Sequence, residues 1–133
     1  MPESNIEIVN SAFDAIRRRD LDALLALYDP EIEFLPLTGT RVERGGYAGH
    51  AGVLSYFDEV AHVWEEMRPY ADTTRAVGDH VVVLGGCAVR GIASGVESDD
   101  PMAWVITLHN GKITRHRAYR TAGEALEAVG LAA

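Results

Sequence analysis

From Tyr70 to Arg120 the chain reads YADTTRAVGDHVVVLGGCAVRGIASGVESDDPMAWVITLHNGKITRHRAYR. Branched and aromatic residues recur in long runs, and turn residues punctuate them at Gly78-Asp79 and Asn110-Gly111, so four strands are predicted over about 70–77, 80–92, 101–109 and 112–120. The last two form a hairpin. Between Arg90 and Asp100, Gly91, Ser94 and Gly95 with the polar run Ser98-Asp99-Asp100 predict a looser, partly exposed passage. No helix separates these strands, which excludes a doubly wound parallel sheet and predicts a curved antiparallel sheet in an α+β domain.

The residues before this run supply the helices that cover the sheet. Ser4 is placed to cap a helix with apolar residues Ile6, Val9, Ala12, Phe13 and Ile16 at three- and four-residue spacing, running to about Arg19. Asp20 caps a short second helix, Leu21 to Tyr28, and Asp29-Pro30 ends it because a residue before proline is driven out of helical geometry. These two form a hairpin-like lid. Glu31 to Pro36 reads as a short strand. Val53, Leu54, Phe57, Val60, Ala61 and Trp64 form a stripe that predicts a third helix from His50 to about Met67, closed by Pro69. A short terminal helix, Ala122 to Val129, stops at Gly130.

A chain of 133 residues is the size of one domain and buries roughly two-thirds of its unfolded surface, so residues 1–133 are read as a single unit. Acidic residues outnumber basic ones 20 to 12, a formal charge of −8, and a nucleic-acid partner is not expected. Arg17-Arg18-Arg19 is read as a solvated helix end where cations suit the macrodipole. The single cysteine, Cys87, excludes an internal disulfide and is read as a small buried hydrophobe. His62, His80 and His109 lack ligand spacing, so no metal site is expected. With no basic-then-apolar leader at Met1 to Glu7 and no apolar run approaching 18 residues, no membrane association is expected and a cytoplasmic location is.

Three stretches carry a resemblance: Asp20-Leu21-Asp22-Ala23-Leu24-Leu25-Ala26-Leu27-Tyr28-Asp29-Pro30, then Gly49-His50-Ala51-Gly52-Val53, then Asn110-Gly111-Lys112-Ile113. In order, spacing and total length they resemble the SnoaL-like branch of the NTF2-like superfamily, over nearly the whole chain. That resemblance implies a cone: a curved sheet wrapped around three N-terminal helices, a pocket on its concave face, and a convex face that commonly makes a homodimer. Isomerases, cyclases, hydratases, epoxide hydrolases and binding modules share the fold, so it assigns no activity. In the last strand, Thr114, His116, Ala118 and Arg120 are expected on one face, and Ile113, Arg115, Arg117 and Tyr119 on the other as the dimer surface.

The catalytic groups of relatives do not carry over. Laid against the ketosteroid isomerases, the general base falls at Leu35 or Pro36, the oxyanion tyrosine at about Ala12 and the protonated aspartate at Trp104, none of which can do that work. SnoaL-type cyclases place an acid two positions after a histidine on the last strand; here the pair is His116 and Ala118, so only the histidine remains. Limonene-type epoxide hydrolases need an Asp-Arg-Asp cluster, and no pocket-facing acid is expected in the strands.

What the resemblance leaves is an aromatic pocket of Tyr28, His50, Phe57, Trp104, Ile106, His116 and Arg120 for a small hydrophobic organic ligand. His116 is the candidate acid/base, or else satisfies a neighbouring carbonyl. His50 either fills a loop-to-helix junction or reaches the pocket mouth. Trp104 either stacks on a planar ligand or fills the cone. Tyr28 either donates its hydroxyl or is core, and Arg120 either holds a ligand anion or pairs with Glu124. Two functions follow: cofactor-free isomerisation, cyclisation or dehydration of a hydrophobic cyclic carbonyl compound, or ligand binding by a non-catalytic dimer.

Overall fold

A computed structural model describes residues 4–131. Helix α1 (Asn5–Arg18) begins where Ser4 Oγ accepts the Glu7 backbone N–H, and it ends at Arg19, whose left-handed φ of 55° turns the chain. Asp20 caps α2 (Leu21–Leu27) through the Ala23 N–H. Strand β1 (Tyr28–Leu35) starts at Tyr28, one residue inside the expected helix, because Tyr28 is already paired with Ile113. A single 3-10 turn (Val42–Arg44) and the two-residue β2 (Tyr47–Ala48) lead into α3 (Gly49–Val63). Then come β3 (Trp64–Val77), β4 (His80–Gly91), β5 (Glu97–His109), β6 (Lys112–Tyr119) and α4 (Ala122–Ala128).

Six strands form one curved, unclosed sheet in the order β2-β1-β6-β5-β4-β3, covered by α1 to α3, which confirms the α+β reading. Every neighbouring pair is antiparallel except one: β1 runs parallel to β6. Hairpin turns fix direction only between consecutive strands, and β1 meets β6 from the other end of the chain.

Pro69 does not end α3. The helix stops at Val63, and Pro69 lies inside β3 opposite Cys87. Proline is tolerated there because β3 is an edge strand, where a missing N–H removes no ladder bond on the outer side. Trp64 therefore belongs to the strand, and Leu54 from the expected stripe is exposed. The basic end of α1 lies along this edge: Arg17 donates to the Pro69 carbonyl at 2.9 Å and Arg19 to the carbonyls of Trp64 and Glu65. Arg18 and Arg19 are exposed, as the solvated reading expects, and Arg17 is half-buried; Arg18 alone is directed away from the edge, paired with Asp14 and Asp20. The two other guanidinium groups occupy acceptors that a free edge would offer to another chain.

Strand alternation alone put Ile113 on the outer face with Arg115, but Ile113 is fully buried in the main core. The register slips at Thr114: Leu108 pairs with Ile113 while Thr107 pairs with Arg115. One extra residue in β6 therefore lets Ile113 and His116, three apart, both face inward. Thr114 closes the irregularity by donating its hydroxyl to the Thr107 carbonyl.

The main core joins the inner sheet face to α1, α2 and α3, with Val9, Phe13, Leu24, Ile32 and Ile106 almost wholly buried. A smaller cluster, Val82, Ala103, Val105 and Ala125, lies on the outer face beneath α4, and Tyr119 packs into it. Part of the surface expected to face a second copy is thus covered by the chain's own last helix.

Candidate functional site

A cavity of about 370 Å³ lies between the inner sheet face and helices α1 and α3. That volume is in the range of small-molecule sites. Its inner wall is aromatic. Phe13 meets Trp104 edge to face at 4.9 Å between centroids, and Phe34 stands 4.9 Å from both Tyr56 and the His116 ring. β6 supplies His116 and Ala118 by alternation, β5 supplies Trp104 opposite Ala118 and Met102 two residues before it, and α3 supplies Tyr56 and Phe57. The exposed rim carries Arg120 and Asp100.

Of the seven residues chosen from sequence, Phe57, Trp104, His116 and Arg120 line this cavity. The other three do not. Tyr28 lies behind the wall, 1% exposed, with its hydroxyl 2.9 Å from His116 Nδ1. His50 bonds the Tyr28 carbonyl through Nε2 at 3.0 Å, which anchors the start of α3 to β1. Ile106 pairs with His116 across β5 and β6 and is fully buried core. Arg120 makes no ion pair with Glu124 among the described residues; Glu124 instead accepts from the Thr121 hydroxyl at the α4 cap.

Three of the cavity residues that sequence reasoning did not select bear on its chemistry. Tyr56 precedes Phe57 on α3, and the sequence stripe selected its neighbour, although Val53, Tyr56 and Val60 share the buried face at three- and four-residue spacing. Asp100, read as loop, belongs to β5 opposite Cys87, so an acid does reach the cavity rim from a strand. Cys87 is half-buried in the wall rather than sealed in the core.

Burial sets the chemistry of these groups. It pushes the Cys87 thiol up to about 11 and the Tyr56 phenol up to about 12, and it holds the Tyr28 phenol well above its usual range. All three are protonated at neutral pH. For His116 desolvation acts in the opposite direction, lowering its pKa from 6.5 to about 3. The ring is therefore neutral near pH 7 and enters the site as an imidazole, not an imidazolium. One nitrogen meets Tyr28. The other has no hydrogen bond among the described residues, where the only buried side-chain polar atom left without a partner is Arg115 Nε. His116 lines the cavity, so its second nitrogen is the one open to it. The Tyr28 hydroxyl has no other acceptor among the described residues, so it is assigned as donor to Nδ1; the ring then carries its proton on Nε2 and presents a hydrogen-bond donor to an oxygen in the cavity. Tyr28→Phe is expected to cost about 1–3 kcal/mol, because it leaves Nδ1 buried and unpaired; urea midpoints of the two proteins measure it.

Among the described residues no group of three or more histidine, cysteine or acidic side chains is arranged to hold a metal ion, and no helix is long and apolar enough to cross a membrane.

The profile of the SnoaL-like domain family matches residues 9–116. Among solved structures, an NTF2-like protein of unknown function from Burkholderia pseudomallei K96243 is 24% identical, with 95% of this chain and 97% of that one covered and a TM-score of 0.77. TerC, co-crystallized with polyporic acid, is 26% identical over 94% of this chain and 97% of its own, with a TM-score of 0.77. A protein with a ketosteroid isomerase-like fold from Catenulispora acidiphila DSM 44928, in complex with trimethylamine, is 18% identical over 96% and 95%, with a TM-score of 0.76. No curated protein matches the chain.

Proposed function

This chain belongs to the SnoaL-like domain family, and from that premise we propose that it takes up a small, mostly apolar, ring-containing molecule bearing a carbonyl or enol oxygen and isomerises, cyclises or dehydrates it without a cofactor. The observation that carries the reading is the His116–Tyr28 pair set in the wall of an otherwise aromatic cavity. A neutral imidazole aimed at an oxygen strengthens its bond as negative charge develops there, and low surrounding polarity increases the effect. Trp104 and Phe34 supply flat faces for the ligand body. Asp100 and Arg120 at the rim are the charged groups within reach of a migrating proton or a developing enolate. TerC's co-crystallization with polyporic acid supports a small organic ligand for the cavity.

A second reading, binding without turnover, is favoured by one feature: with a pKa of about 3, His116 is a weak base and cannot deliver a proton near pH 7. A thermal-shift series with polyporic acid, aromatic polyketide phenols and steroid ketones separates the readings. A ligand at about 100 times its Kd adds roughly 2.7 kcal/mol, a shift of several degrees. Trp104→Ala is expected to abolish that shift. Turnover of the bound compound, with kcat reduced in His116→Gln, supports catalysis; a compound recovered unchanged supports the binding reading, and no shift with any class overturns the cavity as a ligand site.

A further inference from the structure

The outer face of the sheet holds a second hollow at the same end as the cavity. Where β1 and β6 run side by side, Glu33 and Leu35 pair with Arg115 and Arg117 and turn outward, while Phe34 and His116 between them turn inward. The segment carrying Val42, Gly45 and Gly46 lies beside them and borders an open hollow of about 480 Å³. Gly46 makes that close approach possible: a Cβ there would meet Leu35 Cδ2 at 2.5 Å and the Phe34 carbonyl oxygen at 2.7 Å. Arg120 completes the wall, and Arg120, Pro36, Leu37 and Ala118 also line the inner cavity. The two hollows share a rim.

Charge distinguishes this outer hollow from the inner one. Among the described residues, three guanidinium groups border it against one carboxylate, in a chain whose formal charge is −8. Arg115 Nε stands 3.6 Å from Glu33 Oε2, close enough for an ion pair and too far for a hydrogen bond. It is the one buried side-chain polar atom without a hydrogen-bond partner among the described residues. Neither Arg117 nor Arg120 has an ion pair among those residues; Arg117 instead stacks 5.0 Å from the Tyr119 ring. Planar guanidinium donors bordering one hollow match the oxygens of a carboxylate or phosphate.

We propose that the outer hollow is an anion subsite, and that the natural ligand is amphipathic, with an apolar body in the inner cavity and a carboxylate or phosphate end held across the shared rim by Arg115, Arg117 and Arg120. The inference rests on the proposed use of the inner cavity. It narrows the ligand class from hydrophobic molecules to those with an anionic end a short span from the ring. Glu33 then opposes binding unless the anion displaces it from Arg115.

Titration calorimetry with ω-(2-naphthyl)alkanoic acids of increasing chain length, their methyl esters and the corresponding alkyl phosphates tests this. At the length that spans the rim, the acid or the phosphate is expected to bind about tenfold or more tightly than the ester, with the advantage shrinking as salt is added. Whichever head gains more identifies the natural group. Arg115→Gln and Arg117→Gln are each expected to remove most of the advantage while leaving ester affinity unchanged, and Glu33→Gln to enlarge it. Esters that bind as tightly as acids and phosphates at every length overturn the subsite and leave the cavity reading intact, as does an advantage that survives both arginine variants. Failure of every probe to bind overturns both.

Discussion

Lowering the pH from 7 to 4 is expected to remove about 3 kcal/mol of folding stability through His116 alone. The ring is 4% exposed and stands against Phe13, Phe34 and Tyr28. Desolvation lowers its pKa from 6.5 to about 3, so between those limits the unfolded chain carries a proton that the folded chain refuses. The unfolded state binds more protons there, and stability falls as pH falls, by at most about 1.4 kcal/mol per pH unit. Above the unfolded value both states are neutral and the contribution is flat. Tyr28 is the titratable group bonded to the ring, and its phenol stays protonated throughout this range.

His116→Gln isolates the effect, because glutamine keeps a polar partner for the Tyr28 hydroxyl and does not titrate. Urea midpoints of both proteins between pH 8 and pH 4 give the comparison, with the exposed carboxylates cancelling in the difference. The variant's stability is expected to gain on the parent's as the pH drops below 6.5, reaching about 3 kcal/mol by pH 4. Parallel curves would show that the imidazole is solvated in the folded protein, and the neutral-donor role in the cavity would fall with it.

Gly85→Ala is expected to destabilise the protein by about 3 kcal/mol or more, although alanine is a small residue and the site lies in a regular strand. A Cβ at position 85 would sit 2.0 Å from the Tyr70 carbonyl oxygen, 2.9 Å from its carbon and 3.0 Å from the Ala71 Cα. All three atoms are backbone, so no rotamer change relieves the contact. β3 also slips register between Ala71 and Thr73 beside this point, which brings its chain against Gly85. Forcing the strands apart would disturb Met102 and Cys87 in the cavity wall as well as the edge pairing. Gly78→Ala is the matched control. Its φ of 60° costs alanine about 1 kcal/mol, but nothing lies within 4 Å of its Cβ position. Equal denaturation midpoints for the two variants would mean that β3 and β4 separate easily at Gly85.

The inward set of β6 shows how far pattern reading reaches. His116 and Ala118 face the cavity as alternation demands, and their partners Ile106 and Trp104 follow from the hairpin at Asn110-Gly111. Ile113 breaks the rule because an extra residue at Thr114 shifts the phase, and no local composition marks that position as a bulge. Trp64 and Pro69 were misplaced for a related reason. Helical spacing continues past Val63 in the sequence, but the backbone pairs with β4, and a proline is admitted because that pairing leaves β3 at an edge.

The sequence by itself determined the order of elements, the succession of long strands, the helix caps at Ser4 and Asp20, the turns at Gly78-Asp79 and Asn110-Gly111, and an aromatic inner lining. These are set by neighbours within a few residues, through capping geometry, turn conformation and side-chain period. Tertiary structure alone decided that β1 lies parallel to β6, that Tyr28 stands behind His116 rather than in the cavity, that Tyr56 and Asp100 join the lining, and that three arginines border one hollow on the outer face. It also decided the charge state of His116. Desolvation and long-range pairing depend on groups brought together from distant parts of the chain, and a group's nearest sequence neighbours carry no record of them.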